Sequence, residues 1–296
     1  MPADWAPLWE QMLQARAAPL AVGDLHGLRS AGATPSLQLV GQFSEASAAW
    51  FEVYAPLLDA RLARARMLSA PVWVLGQLGL SLDGYVATAS GDSYFVTGPA
   101  SLSHLHRLRA LCDAVLVGAG TVAIDDPRLT TRRVPGPQPV RVVLDPAARL
   151  DGSAQVLRDG AAPTLWLCDS SRASSARERG FRGTAEVLPV DGLLDATAPA
   201  RGPHIARALD ALAARGLRLV LVEGGGVTVS RCLAAGLLDR LHLVIAPVLI
   251  GDGRRGLNFP GPQRMADCLR PAARRLPLGA DMLWDLDMRA ATPPRG

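Results

Sequence analysis

The sequence contains no lysine: all 31 of its Lys/Arg positions are arginine. That absence removes whole reaction classes. Pyridoxal-phosphate and Schiff-base enzymes need an amine nucleophile, and a P-loop needs its lysine on the phosphates, so neither is available. Cysteine is scarce. Cys112, Cys168, Cys232 and Cys268 lie far apart, with no C-x-x-C and no histidine at zinc-ligand spacing. Three of them fall inside apolar patterns, which reads as buried free thiols without a disulfide framework or a metal, and a reducing, cytoplasmic compartment is expected. No apolar run approaches the ~20 residues of a membrane span, and no basic-then-apolar leader opens the chain. With 27 acids against the arginines the net charge is +4, too small and too dispersed to argue for nucleic acid.

What is present is a soluble, core-forming composition of 49% hydrophobic and 20% charged residues. The chain is organised around Gly76 to Arg133. An apolar run, Val72 to Leu80, leads into the turn Ser81-Leu82-Asp83-Gly84, and a polar loop with Gly91-Asp92-Ser93 precedes a helical pattern over Pro99–Leu111. A short apolar strand, Ala114 to Val117, ends in Gly118-Ala119-Gly120-Thr121. Asp125 to Arg133 then packs two carboxylates, two hydroxyls and three guanidiniums into nine residues, which reads as a dense polar loop. A strand, then glycines, then a polar loop is how an α/β protein presents a ligand at the carboxyl end of its sheet, here a phosphorylated small molecule.

From Pro71 onward strand and helix patterns alternate. Strands are expected at Val72–Leu80, Ala114–Val117, Val140–Leu144, Thr164–Cys168, Glu186–Val190, Arg218–Val222, His242–Ala246 and Met282–Asp287. Helices are expected at Pro99–Leu111, Ile205–Arg215 and Val227–Ala235. This predicts a central sheet covered by helices on both faces, and the closely spaced late strands predict an antiparallel edge on it. Residues 1–70 read as a separate, mainly helical extension: Trp5, Leu8, Trp9, Met12 and Leu13 fall at helical spacing, and Phe51 to Met67 forms a second amphipathic helix. Between them Gly23 to Gln42 reads as a loop or short strand region, with His26 on the surface. The tail from Ala290 reads as disordered.

Glu223-Gly224-Gly225-Gly226 follows the apolar strand Leu219 to Val222 and opens a helix. Glycines there let a phosphate approach free N–H groups at the positive end of the helix dipole. A tight strand-to-helix turn with no ligand is the other reading of the same residues. The pattern is not G-x-G-x-x-G, so a Rossmann site is not indicated. Asp126-Pro127 reads as a cap or turn. His104 and His106, two apart on one helix, cannot chelate a metal together and read as structural.

These motifs, SLDG, G-D-S, H-x-LR, G-x-GT, DDP-x-LT-x-R, Arg141 to Asp145, Glu223-Gly224-Gly225 and Ala246 to Gly251, in that order, resemble the reductase domain of the bifunctional riboflavin-pathway deaminase/reductase. The resemblance covers Pro71 to Asp287 and implies a dihydrofolate-reductase-like, three-layer αβα fold over residues 71–290, with a mixed, mostly parallel sheet. It implies a homodimeric, NADPH-dependent reductase that opens the ribose ring of a 5-phosphoribosylamino-pyrimidine and reduces C1′ to a ribitylamino-pyrimidine 5′-phosphate. It further implies Asp125 and Glu223 as catalytic acids. Cofactor contacts would come from Gly79, Phe95, Thr121, Asp125 and the loop Gly225, Gly226, Val227, Thr228, Val229, Ser230 and Arg231. Substrate contacts would come from Ser93, Arg109, Leu129, Arg132 and Glu223. Ser93, Arg109 and Arg132 suit a phosphate monoester, because the guanidinium fork and its permanent charge match that group; a solvated helix face is the other reading of Arg109. NADPH would be selected by arginines near the end of Leu167-Cys168, such as Arg172.

Three positions depart from the family pattern: Phe95 replaces a tryptophan, Gln77 a frequent lysine, and Pro146 a serine that would touch cofactor. The zinc deaminase of the bifunctional relatives needs H-x-E and P-C-x-x-C, and neither occurs here. Residues 1–70 are therefore expected to serve packing or dimerisation and to carry no chemistry. A related pterin or pyrimidine reductase, or a catalytically inactive nucleotide-binding scaffold, are the alternatives.

Overall fold

The computed structural model describes residues 2–18, 27–31, 36–67, 70–93, 96–180, 183–195 and 204–289. His26, Phe95 and the tail from Ala290 lie outside the described residues. In chain order the elements are α1 (Trp5–Ala17), β1 (Leu28–Ala31), β2 (Ser36–Leu39), α2 (Glu45–Arg66), β3 (Trp73–Ser81), β4 (Tyr85–Thr88), α3 (Pro99–Leu111), β5 (Ala114–Gly118), α4 (Ala119–Asp125), β6 (Val140–Leu144), α5 (Gln155–Arg158), β7 (Thr164–Asp169), α6 (Ala173–Gly180), β8 (Glu186–Val190), α7 (Ile205–Ala214), β9 (Leu219–Val222), α8 (Gly226–Ala234), β10 (Arg240–Ala246), β11 (Gly253–Arg255), β12 (Ala272–Leu278) and β13 (Asp281–Asp287).

Nine strands form one sheet in the order β12-β13-β10-β3-β9-β5-β6-β7-β8. Every pairing from β10 to β8 is parallel, and β13 and β12 add the antiparallel edge that the late strands predict. The strand alternation sorts the core into two layers. Trp73, Val115, Val117 and Leu221 share one layer with α1, α2 and α3, and Trp166 packs in that layer under α6, whereas Val74, Leu116, Val142, Leu167 and Val222 lie in the layer of α7 and α8. Cys112, Cys168 and Cys232 are buried free thiols, and burial pushes the Cys112 and Cys232 thiols up to about 12.

One reading changes. The polar stretch after Gly118 begins as the short helix α4, closed by Asp126 in the left-handed region at φ 39 with its N–H on the Val122 carbonyl. Only residues from Asp126 onward form the loop. Outside the main sheet, β4 pairs with β11, and this ribbon carries Arg254 and Arg255 over the Gly91 loop.

Residues 2–67 share the core with the sheet. Trp5, Trp9, Trp50 and Tyr54 pack as one aromatic cluster against α3, with centroids 5.9–6.1 Å apart. From α2, Arg61 pairs with Asp113, whose other carboxylate oxygen accepts the Arg218 and Leu219 N–H groups at 3.0 and 2.9 Å, joining helix to strand start.

Asp59 of α2 accepts the Leu37 N–H at 2.6 Å, and burial pushes its carboxyl from 3.8 up to about 6. A carboxyl raised in the folded state stabilises the fold below its unfolded pKa, and that contribution disappears as pH rises from 3.8 to about 6. Asp59→Asn keeps the acceptor and cannot ionise. Its melting temperature should match wild type near pH 4 and exceed it by a few degrees at neutral pH; an equal difference at both pH values would show that the charge of Asp59 is not what is strained.

Candidate active site

The carboxyl ends of β3, β9, β5 and β6 open into a cavity of about 930 Å³, near the upper end for small-molecule sites. Its walls include the strand end at Gln77 and Gly79, the short helix from Gly118 to Asp125, the glycine loop from Glu223 to Thr228, the turn Pro146–Arg149 after β6, and one face of α3. A recess of about 470 Å³ continues from it between Ser93, Asp125, Arg128, Leu129 and Arg132.

Glu223 is set by the register of β9. Its N–H donates to the Leu116 carbonyl, and its carboxylate, 4% exposed, projects toward α3. There Arg109, 6% exposed, grips it side-on, Nε to Oε2 at 3.1 Å and Nη2 to Oε1 at 2.5 Å, while Nη1 donates to the Thr130 carbonyl at 3.0 Å. Each guanidinium nitrogen therefore has an internal partner. Arg109 is neither a solvated surface residue nor a free cation in the recess; it lines the site as the counter-charge of Glu223. Two lone pairs of Glu223 remain for a ligand N–H or O–H.

Asp125 ends α4 at the mouth. It is solvent-accessible, yet the surrounding wall raises its pKa, partly opposed by the Ser93 hydroxyl, which donates to Oδ1 at 3.5 Å, and by the nearby charge of Arg254. Capping falls to its neighbour: Asp126 closes the helix and accepts the Gln155 N–H at 2.7 Å. Asp125 is left with Ser93 as its only hydrogen-bond partner among the described residues, and it faces the cavity.

Thr121 sits at the junction of two walls. Its hydroxyl accepts the Gly225 N–H at 2.8 Å, locking α4 to the glycine loop, and keeps its proton and one lone pair for a ligand. Gly224 carries φ +91, and a Cβ there would meet Thr121 Cγ2 at 2.8 Å, so this close approach needs glycine. On α8 the helical period divides the loop. Gly225, Gly226, Val227, Thr228 and Arg231 line the cavity; Val229 is core, and Ser230 turns inward to accept the Asn258 N–H at 2.9 Å. The side chains of Val229 and Ser230 thus face away from the cavity.

The substrate-side loop is held from below. His106 Nδ1 accepts the N–H groups of Arg132 and Arg133 at 2.8 and 3.2 Å, and burial with three nearby arginines drops its pKa to about 3, keeping that lone pair available. Leu129 takes a left-handed φ of 56 with its side chain buried. The Arg132 guanidinium reaches only the Thr130 carbonyl and hydroxyl, at 3.5 and 3.4 Å, and faces the recess. Among the lining residues that the sequence reading does not assign to the site are Arg128, Arg149 and His106. In a chain with 31 arginines the residue type gives no signal, and His106, although it opens the H-x-LR motif, acts through an imidazole–backbone contact that the motif does not reveal. Arg172 stands in an exposed 3-10 turn outside the cavity lining, with Arg149 at that end instead. Gln77 and Pro146, two of the departing positions, both line the cavity.

Comparison with known proteins agrees with this architecture. The RibD C-terminal domain family matches residues 72–271. A 2,5-diamino-6-ribosylamino-4(3H)-pyrimidinone 5′-phosphate reductase of Methanothermobacter thermautotrophicus is 35% identical over 223 residues, covering 73% of this chain and 98% of that protein. The riboflavin biosynthesis protein RibD of Bacillus amyloliquefaciens is 39% identical over 172 residues, 58% of this chain and 44% of that one, so the chain spans less than half of this longer relative. Among solved structures, Acinetobacter baumannii RibD superposes with a TM-score of 0.63 at 26% identity, covering 78% of this chain and 62% of that chain. The chain belongs to the RibD C-terminal domain family, the pyrimidine-reductase family of riboflavin biosynthesis.

Proposed function

We propose that the chain is an NADPH-dependent reductase of a ribosylamino-pyrimidine 5′-phosphate, yielding the ribitylamino 5′-phosphate. The observation that carries this reading is the pairing, in one cavity, of an arginine-lined recess beside a free carboxyl with a bare glycine loop at a helix N-terminus. We assign the 2,5-diamino-4(3H)-pyrimidinone as the base, because the Methanothermobacter relative named for it is matched over nearly its whole length. Single-turnover assays on this compound and on its deaminated uracil counterpart test the assignment; faster reduction of the uracil form would overturn it.

The residues present fit a dinucleotide. The N-terminus of α8 has no capping side chain and no acid in its first turn, so its N–H groups are free for a pyrophosphate. A Cβ at Gly120 would meet nothing within 4 Å, and one at Gly225 only the Thr121 hydroxyl, so bare backbone faces the cavity. At the far end Arg149 is exposed, lines the cavity beside Pro146 and Ala147, and has no hydrogen bond or ion pair among the described residues. That unpaired cation suits a ribose 2′-phosphate, the group that distinguishes NADPH from NADH.

A bound nicotinamide would supply the hydride that reduces C1′. The chain's own part is to hold the substrate and manage one proton. Ser93, Arg128 and Arg132 take the 5′-phosphate in the recess. Glu223, fixed by Arg109, orients the substrate through its free lone pairs. When the C1′–O4′ bond opens, O4′ requires a proton and C1′ becomes an iminium. Asp125, accessible and with its acid form favoured by a raised pKa, donates that proton, and its carboxylate then faces the cation. One hydride on C1′ and one proton on O4′ balance the reduction.

Asp125→Asn should fold, bind NADPH within a few-fold and lose roughly two to four decades of kcat, the scale of acid–base assistance. In the wild type kcat should fall as pH rises through the Asp125 pKa, and that limb should be missing in the variant. Near-normal kcat with a lower melting temperature would return Asp125 to a structural role. Arg149→Ala should raise KM for NADPH roughly tenfold or more, as for a lost hydrogen bond to a charged group, and leave KM for NADH unchanged; equal losses with both nucleotides would rule out the 2′-phosphate contact.

A further inference from the structure

The family match begins at residue 72, and the role of the preceding segment is unassigned. Its first helix, α1, reaches the active-site loop directly. Trp9 is 4% exposed, and its indole N–H donates to the Pro135 carbonyl at 2.9 Å. Leu13, one turn further on the same face, presses on Gly136: a Cβ placed there would stand 3.5 Å from Leu13 Cδ2 and 2.6 Å from the Ala110 Cβ of α3. Gly136 adopts φ 150, so the loop lies flat between α1 and α3.

The loop so held is the one that carries Arg132. It is closed by a reciprocal pair, in which the Thr131 N–H donates to Gln138 Oε1 and Gln138 Nε2 donates to the Thr131 carbonyl, both at 2.7 Å. Its inner side is fixed by the two N–H groups on His106. Its outer side, at Pro135, has the Trp9 indole. Without that contact the backbone of residues 134–137 has no hydrogen bond between the His106 and Gln138 ties among the described residues and is held there by packing alone, while the Arg132 side chain has only its weak contacts to Thr130.

We infer that Trp9 is a positioning residue for the 5′-phosphate site: the N-terminal helix sets the loop that aims Arg132 into the recess. The inference rests on the phosphate reading of that recess and adds a role for residues 2–17 that stability alone does not describe. It gives the segment a place in substrate recognition, acting from the side of the loop away from the ligand.

The test uses the full chain, with ribose 5-phosphate as calorimetric probe so that no turnover is needed. Trp9→Phe keeps an aromatic ring in the cluster and removes the N–H together with part of the indole's bulk. It should weaken ribose 5-phosphate by roughly fivefold, the size of one neutral hydrogen bond, leave NADPH affinity unchanged, and speed amide exchange across residues 131–138 but not across β6. With the pyrimidine substrate the loss should fall on KM and leave kcat within twofold. Trp5→Phe, in the same cluster but without a loop contact, separates packing from positioning: it should lower the melting temperature and leave ribose 5-phosphate binding unchanged. Unchanged exchange over 131–138, or equal binding losses in the two variants, would overturn the inference. Arg132→Ala with undiminished ribose 5-phosphate affinity would instead overturn the phosphate reading itself, since the exchange measurement on Trp9→Phe does not depend on it.

Discussion

Arg109 and Glu223 are both nearly excluded from water, and taking two such charges out of solvent costs more than an imperfect pair returns. The side-on grip with its two parallel hydrogen bonds, and the third bond to Thr130, are what make the arrangement tolerable. The geometric demands are strict. The α3 helix must present residue 109 at the height where β9 ends, and the loop after α4 must bring the Thr130 carbonyl to the third nitrogen. A displaced α3 would leave a buried carboxylate alone, a penalty of about 3–5 kcal/mol. One ion pair therefore ties a helix, a sheet edge and a substrate loop into a single arrangement, and the cavity is the space left between them.

With no lysine, this chain uses arginine for two opposite tasks, and pairing separates them. Arg141 is fully buried with Asp159 at 2.7 Å and donates to the Ala162 carbonyl; Arg240 is held side-on by Asp285 at 2.8 and 2.5 Å. Like Arg109 these are held by carboxylates and serve the scaffold. Arg149 and Arg231 line the cavity with no carboxylate partner among the described residues, and Arg132 has only Thr130. Unpaired guanidiniums on a shared concave surface raise its potential toward anions, whereas paired ones contribute little field.

That division also marks what the sequence could and could not convey. The sheet was legible because short Val- and Leu-rich runs bound themselves sharply: β6 and β8 begin and end where the pattern does. The helix α4 was not, since seven residues with an internal glycine carry no helical period. The edge strand β12, Ala-Ala-Arg-Arg-Leu-Pro-Leu, is mostly exposed and is absent from the expected strands. At the site, the residues that the family resemblance implied, Asp125, Thr121, Ser93, Arg132 and Glu223, line one cavity. The partner of Arg109 stayed hidden because it is 114 residues away, and a charge on an amphipathic helix looks the same whether water or a carboxylate faces it. Val229 and Ser230 were swept in with a contiguous motif, although a helix shows a cleft only part of its circumference.

The α3 helix resolves these observations into one mechanical role, because its side chains alternate between two jobs. His104 and Arg107 face the N-terminal segment. His104 meets the Tyr54 hydroxyl at 2.8 Å, and Arg107 lies 5.3 Å over the Trp5 ring. His106 and Arg109 face the site, holding the backbone of Arg132 and Arg133 and the carboxylate of Glu223. Behind His104 the chain of contacts runs on through His242 at 3.2 Å to Asp285 at 3.1 Å, with every member buried. An ionised carboxylate at one end can only accept and a phenol at the other can donate, so two neutral imidazoles between them satisfy every link. Burial drives His104 well below its ordinary pKa, which is the condition this chain needs. A polar network closed in this way tolerates little displacement, since shifting α3 along its axis would unmake these links and the Arg109 pair together. The helix is thus fixed from the side remote from the ligand, and the precision of the site derives from contacts that never touch it.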